Sequence, residues 1–216
     1  MINGINSREM ILEILLEIEE GEHSHVAIRN ALSKYQFLPK QDRAFITRVC
    51  EGTLEYRIQI DYIINSFSKV TVDKMKPAIR EILRSAVYQL KYMDSVPDSA
   101  VCNEAVKLAQ RKGFYNLKPF VNGVLRTIAR ELKNLELPPR EENEVRYLSV
   151  KYSMPEYLVN KWITAYGVKT TEKILEDFLT ERPLTVRCRT HKASKKAIVT
   201  SLRSQGVTVE QAPYLP

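Results

Sequence analysis

Apolar residues recur along most of this chain at helical spacing. Met10, Ile11, Ile14, Leu15 and Ile18 lie on one face of a first predicted helix, and Asn6 with Glu9 three residues on forms a capping-box pattern at its start. A turn at Glu20-Gly21-Glu22 leads into a short helix carrying Val26, Ala27, Ala31 and Leu32. Pro39 opens a third, with Phe45, Val49, Cys50 and Leu54 as its apolar stripe. Ile58, Tyr62, Ile63 and Phe67 continue in helical register after a bend. Pro77 begins the clearest helix, where Ile79, Ile82, Leu83, Ala86, Val87 and Leu90 keep the i, i+3, i+4, i+7 pattern. Its start carries Lys74, Lys76 and Arg80, the reverse of what the helix dipole favours. Pro97-Asp98-Ser99 leads into a helix over 99–112, which Gly113 ends. No strand pattern occurs before about residue 180.

The helix after Pro119 buries Phe120, Val124, Leu125, Ile128 and Leu132, yet holds Asn122 and Gly123 at its centre. Gly costs about 1 kcal/mol against Ala in a helix interior. Two explanations stand: a ligand approaches the backbone closely, or a neighbouring helix crosses at Gly123. Lys118 and Arg126, one turn to either side of Asn122, place two cations and an amide on one face, which suits a phosphate-bearing partner.

Asn134-Leu135-Glu136-Leu137-Pro138-Pro139-Arg140 interrupts the helical pattern and marks a boundary. Short helices are predicted over 143–152, 155–166 (ended by Gly167) and 170–179. The tail changes type: Leu184–Thr190 reads as a strand, Ser194 caps a helix through Leu202, and Val207–Val209 reads as a second strand. Such a β-α-β piece needs further strands to cover its faces. The expected fold is mainly α: an all-helical domain over 1–135, a linker at 136–142, and a small α+β segment over 143–216.

Charge sharpens this picture. The chain has 216 residues, 44% hydrophobic content and a formal charge of +7, which excludes global disorder and favours polyanionic partners. Residues 1–22 hold one base, Arg8, against Glu9, Glu13, Glu17, Glu19, Glu20 and Glu22. From 182 to 209 stand Arg182, Arg187, Arg189, Lys192, Lys195, Lys196 and Arg203 without a carboxylate. A lone cation is ordinarily a solvated charge, but this run points to nucleic acid. Three scattered cysteines form no C-x-x-C pair, so neither zinc nor a disulfide framework is expected. Cys50 and Cys102 read as core, and His23 with His25 makes a poor metal case. No signal peptide or long uncharged apolar run occurs, and the reading is cytoplasmic. Trp162 and Tyr166, four apart, fit packing better than base stacking; Tyr56, Tyr62, Tyr88 and Tyr92 are expected to bury their rings.

Ala86-Val87-Tyr88-Gln89-Leu90, Val96-Pro97, Ala100, Asn103-Glu104-Ala105-Val106-Lys107-Leu108-Ala109 and Phe120–Arg126, with Arg8, Asp42-Arg43 and Gly52, resemble the antitermination factor NusB over roughly 1–135. The continuation, Leu148–Leu158 with Lys161-Trp162 and then Arg182–Arg187, resembles the bacterial ribosomal-RNA cytosine-C5 methyltransferases of the Sun/Fmu (RsmB) type. In that family a NusB-like domain precedes a partial RRM-like, RNA-binding segment and an S-adenosylmethionine-dependent catalytic domain.

The resemblance implies RNA contacts at Arg8, Lys118, Asn122 and Arg126, while Arg187, Arg189, Lys192, Lys195 and Lys196 are the electrostatic candidates of the second part. The family's Arg-x-Asn is Arg187-Cys188-Arg189 here, so no role for that Asn carries over. Its Thr-Cys and Pro-Cys pairs are absent, and the seven glycines are all isolated, so no glycine-rich cofactor turn exists. The resemblance therefore implies an RNA-binding N-terminal region that is inactive alone, binds no S-adenosylmethionine or metal itself, and acts on small-subunit ribosomal RNA. Two alternatives remain: a stand-alone NusB-type antitermination protein with a ribosomal-protein partner, which leaves residues beyond 140 unexplained, and a protein-binding module, which leaves the basic run idle.

Overall fold

The computed structural model describes residues 6–180 and 184–211, which fall into two compact units, Met1–Asp177 and Phe178–Pro216. In the first unit, α1 (Ser7–Glu19) starts where expected, with Asn6 Oδ1 accepting the backbone N–H groups of Arg8 (2.9 Å) and Glu9 (3.4 Å). It buries Met10, Ile11, Leu12, Ile14 and Leu15. Gly21, at φ 113°, supplies the left-handed residue that turns the chain into α2 (Ser24–Lys34). Pro39 caps α3 (Lys40–Glu55), and Tyr56 alone separates it from α4 (Arg57–Phe67).

The centre of the bundle is α5 (Pro77–Tyr92), which packs against α1, α3 and α4 as well as α6 (Asp98–Arg111) and α7 (Lys118–Glu131). A helix surrounded on so many sides must bury polar positions along with its apolar stripe. Glu81, Arg84, Ser85 and Gln89 are all buried, and none of them belongs to the apolar periodicity. Arg84 resolves most of this polarity. It grips Asp61 with Nε and Nη2, both at 2.7 Å, and Glu81 with Nη1 at 2.5 Å. Between α6 and α7, Gly113 at φ 85° lets the Phe114 N–H reach the Ala109 carbonyl (2.9 Å), closing the end of α6.

The helices on both sides of the 134–140 break pack into one unit. Asn143 caps α8 (Glu144–Tyr152), which lies against α4 and α9 (Glu156–Tyr166); Gly167 then turns the chain into α10 (Val168–Phe178). Gln59 of α4 is the joint: its Nε2 donates to the carbonyls of Val150 (3.1 Å) and Lys151 (3.0 Å). Its Oε1 accepts from Lys91 Nζ (2.6 Å) and from the Tyr92 hydroxyl. The Ile58 N–H adds a bond to Ser153 Oγ (3.1 Å), and the Tyr62 hydroxyl donates to the Glu136 carbonyl (2.9 Å). Arg140 and Lys151 both reach Glu172, at 2.9 and 3.0 Å, and tie α10 to α8.

In the second unit, Ser194 Oγ accepts the Ala197 N–H (3.2 Å) and caps α11 (Lys195–Ser204), as its sequence position implies. The two expected strands do not form: no strand occurs among the described residues, and Leu184 (90% exposed) and Val186 (61%) face solvent. Alternation expresses a preference, but a strand also requires a partner to take its N–H and C=O groups. Val207 cannot offer its N–H to such a partner, because that group closes α11 on the Leu202 carbonyl (3.1 Å). The Val209 carbonyl accepts from Arg203 Nη2 (3.1 Å) instead. Among the described residues, the segment expected as α+β is thus helical and extended. Arg182 and Pro183 lie outside the described residues.

Candidate nucleic-acid interface

α7 turns Val121, Val124, Leu125 and Ile128 into the core, with Phe120 only half-buried. That orientation leaves Lys118 and Asn122 half-exposed and Arg126 exposed. Arg126 Nε donates to Asn122 Oδ1 at 2.9 Å, so the i, i+4 pair meets as its spacing implies. Gly123 is exposed, and a Cβ built on it would meet nothing within 4 Å. The helix-crossing explanation for this glycine is thereby removed. Gly123→Ala is expected to stabilise the protein by about 0.4–1 kcal/mol, since nothing opposes the methyl group and the unfolded chain loses freedom. Chemical denaturation checks this, and a fall in stability would show a contact at Gly123. The packing glycine is Gly52, whose missing Cβ is replaced by the ring of Tyr88.

Arg8, on α1, is held rather than free. Its Nη2 donates to Gln89 Oε1 (3.2 Å), and its guanidinium carbon lies 5.3 Å from the centre of the Phe45 ring. Burial pulls its pKa below the ordinary arginine value, with Glu104 of α6 pulling the other way. Arg8 Nε is buried without a partner, beside a cavity of about 10 Å³ lined in part by Arg8, Ser85 and Gln89. Sequence reasoning missed the holding residues, Gln89 and Phe45. A glutamine inside the apolar run Ala86-Val87-Tyr88-Gln89-Leu90 was the available signal. Arg126 and Arg8 share α6 as a neighbour: the former acts on Cys102, the latter on Glu104.

Arg187, Arg189, Lys192, Lys195 and Lys196 are all exposed, and none makes an ion pair among the described residues. Lys195 and Lys196 occupy the first turn of α11, where the helix dipole is positive and cations are disfavoured. An anionic partner relieves that repulsion.

Neither described cysteine of the first unit offers a ready thiolate. Cys50 and Cys102 are buried, and burial pushes both thiols above the ordinary cysteine range. Among the described residues, no group of three or more His, Cys, Asp or Glu side chains could hold a metal ion. No helix among them is long and apolar enough to cross a membrane. Tyr56, Tyr88 and Tyr92 stack, with Tyr56 and Tyr92 centres 4.2 Å apart; Trp162 is half-buried and Tyr166 is exposed.

The family model of NusB matches residues 5–130, and that of the RsmF/B-like methyltransferase ferredoxin-like domain matches residues 154–216. The probable ribosomal RNA small subunit methyltransferase B of Bacillus subtilis (strain 168) is 33% identical over 206 residues, covering 94% of this chain and 45% of that protein. The solved structure of PH0851 superposes with a TM-score of 0.64 at 22% identity, over 99% of this chain and 48% of that one. A chain from the complex of antitermination factors NusB and NusE with double-stranded RNA matches with a TM-score of 0.53 at 21% identity, over 57% of this chain and 93% of that one. The chain spans about half the length of the methyltransferase relatives it matches.

Proposed function

Since the chain belongs to the NusB family, with an RsmF/B-like ferredoxin-like match after it, we propose that it is the RNA-binding region of an S-adenosylmethionine-dependent ribosomal-RNA cytosine-C5 methyltransferase. Likeness to methyltransferases along nearly the whole chain favours this over a stand-alone antitermination role, which leaves α8 to α11 unused. We place the functional division at 136–142, between the two family matches at 5–130 and 154–216; it differs from the packing division after Asp177.

The observation that carries the reading is the set of exposed cations from Arg187 to Lys196, unpaired with carboxylates among the described residues. Each cation that neutralises a phosphate releases counterions, which gives affinity that falls with salt. Asn122 and Arg126 present an amide and a guanidinium beside bare helix backbone at Gly123, which suits close approach of a sugar-phosphate strand. Arg8, held by Gln89 and Phe45, adds a fixed charge.

Methyl transfer itself is assigned to a catalytic domain of the parent protein. We assign S-adenosylmethionine to that domain as well, since the glycines of this chain are all isolated and make no glycine-rich turn. In the cytoplasm this region would bind small-subunit ribosomal RNA and hold it for that domain.

Titration of small-subunit ribosomal RNA fragments at several salt concentrations tests the reading. Lys195→Glu/Lys196→Glu is expected to weaken binding at least 10-fold and to lower the salt slope by about 1–2, at roughly 0.7–0.9 for each phosphate no longer neutralised. An unchanged affinity and slope removes this patch from the interface. Gly123→Ala supplies an independent check, because it is expected to weaken RNA binding while raising stability.

A further inference from the structure

We propose that the outward face of α9 is a second contact for single-stranded RNA, with Tyr157 stacking on a base and Lys161 pairing with the adjoining phosphate. The inference rests on the RNA-binding reading above but uses none of its residues. α9 buries Val159 and half-buries Leu158, Trp162 and Ile163 on its inner side. At 100° per residue, Tyr157, Lys161 and Thr164 fall on the opposite side, spaced i, i+4, i+7. Tyr157 is 71% exposed, and Asn160, Lys161 and Thr164 are exposed beside it.

The chemistry of this face is one-sided. From Tyr157 to Thr171 there is no carboxylate, and the charged residues are Lys161 and Lys169. Glu156, the acid that precedes Tyr157 in sequence, lines the groove between α9, α8 and α4 together with Asp61 and Arg146. Lys161 has no ion pair among the described residues. The Thr164 hydroxyl donates to the Asn160 backbone carbonyl (2.9 Å), and the side-chain amide of Asn160, on an exposed residue, is of the kind that reads a base edge.

An apolar partner would find a single ring among polar neighbours, whereas a nucleotide matches each group in turn: the ring for a base, the ammonium for a phosphate, the amide for a base edge. A duplex hides the base face that Tyr157 needs, so the expected ligand is unpaired.

The test uses the whole chain with a short adenosine-rich single-stranded RNA and a duplex of equal length, titrated at several salt concentrations. Tyr157→Ala is expected to lower single-strand affinity about 5- to 100-fold, the range of one lost base stack, with the salt slope unchanged. Tyr157→Phe keeps the stack and should bind as the native chain does. Lys161→Ala should reduce the slope by about 0.7, the contribution of one phosphate on a single strand. Duplex binding should be insensitive to Tyr157→Ala.

Native-like binding of single strands by Tyr157→Ala overturns the proposal, as it would if this face were taken by a protein. An equal loss for Tyr157→Phe and Tyr157→Ala overturns it too, because a hydroxyl contact would then be responsible. Lys195→Glu/Lys196→Glu in the same titration separates the two readings. If that variant loses binding while Tyr157→Ala does not, only this inference falls. If the native chain binds neither RNA, the function proposed above falls with it.

Discussion

Arg84→Ala is expected to destabilise the protein by about 3–5 kcal/mol, the range for breaking a buried ion pair from one side. The cause is what the substitution leaves behind. Glu81 is 3% exposed and loses its partner at 2.5 Å; Asp61 loses both bonds of a paired-nitrogen grip at 2.7 Å. At roughly 2–4 °C per kcal/mol for a chain of this size, the melting temperature should fall by about 6–20 °C.

The deficit should depend on pH. In the native protein, burial pushes the Glu81 carboxyl above the ordinary range and Arg84 pulls it back. Removing Arg84 leaves the upward push unopposed. A carboxyl whose folded pKa exceeds its unfolded value contributes stability below the unfolded pKa, about 4.3, and loses that contribution as pH rises through the folded value. The gap between native and variant should therefore be largest at neutral pH and narrow towards pH 4. Denaturant melts at both pH values check this, and a gap independent of pH would show that Glu81 is not the stranded charge.

Gly52→Ala is expected to cost about 1–3 kcal/mol, and the upper end applies here. The added methyl would overlap the ring of Tyr88, which is 5% exposed and stacked within the Tyr56–Tyr92 cluster, so it has no room to swing away. Shortening the obstacle should restore part of the loss: Gly52→Ala/Tyr88→Leu should be less destabilised than the two single effects summed. Strict additivity in a double-mutant cycle would refute the contact.

Much of the bundle was legible because its helices are amphipathic and punctuated. Asn6, Pro39, Pro77, Gly113, Pro119, Asn143 and Ser194 mark helix ends by local backbone chemistry, which needs no tertiary partner. Periodicity was less exact about burial. In α4 the sequence pattern favoured Ile58, Tyr62, Ile63 and Phe67; Ile63 is buried, but so are Ile60 and Ile64, because α4 is covered by α5 on one side and by α8 on another. The tail failed for the complementary reason: its alternation states a strand preference that a segment cannot satisfy without neighbours.

The candidate interface divides the same way. Lys118, Asn122 and Arg126 share a face by helix geometry alone, so their spacing was enough to group them. Arg8 was named through resemblance, but its fixation depends on Gln89, 81 residues away, and on Phe45.

By itself, then, the sequence determined the helices, their caps, the cationic tail and the likeness to an RNA-binding family, because each is written in residues a few positions apart. It also raised the question of the Asn-Gly helix without deciding it. Tertiary structure decided that Gly123 faces open space while Gly52 makes the close approach, and that Arg84 joins Asp61 and Glu81. It likewise placed Gln59 so as to hold α8 against α4. Those outcomes depend on which faces meet when distant helices pack, and no local pattern encodes that.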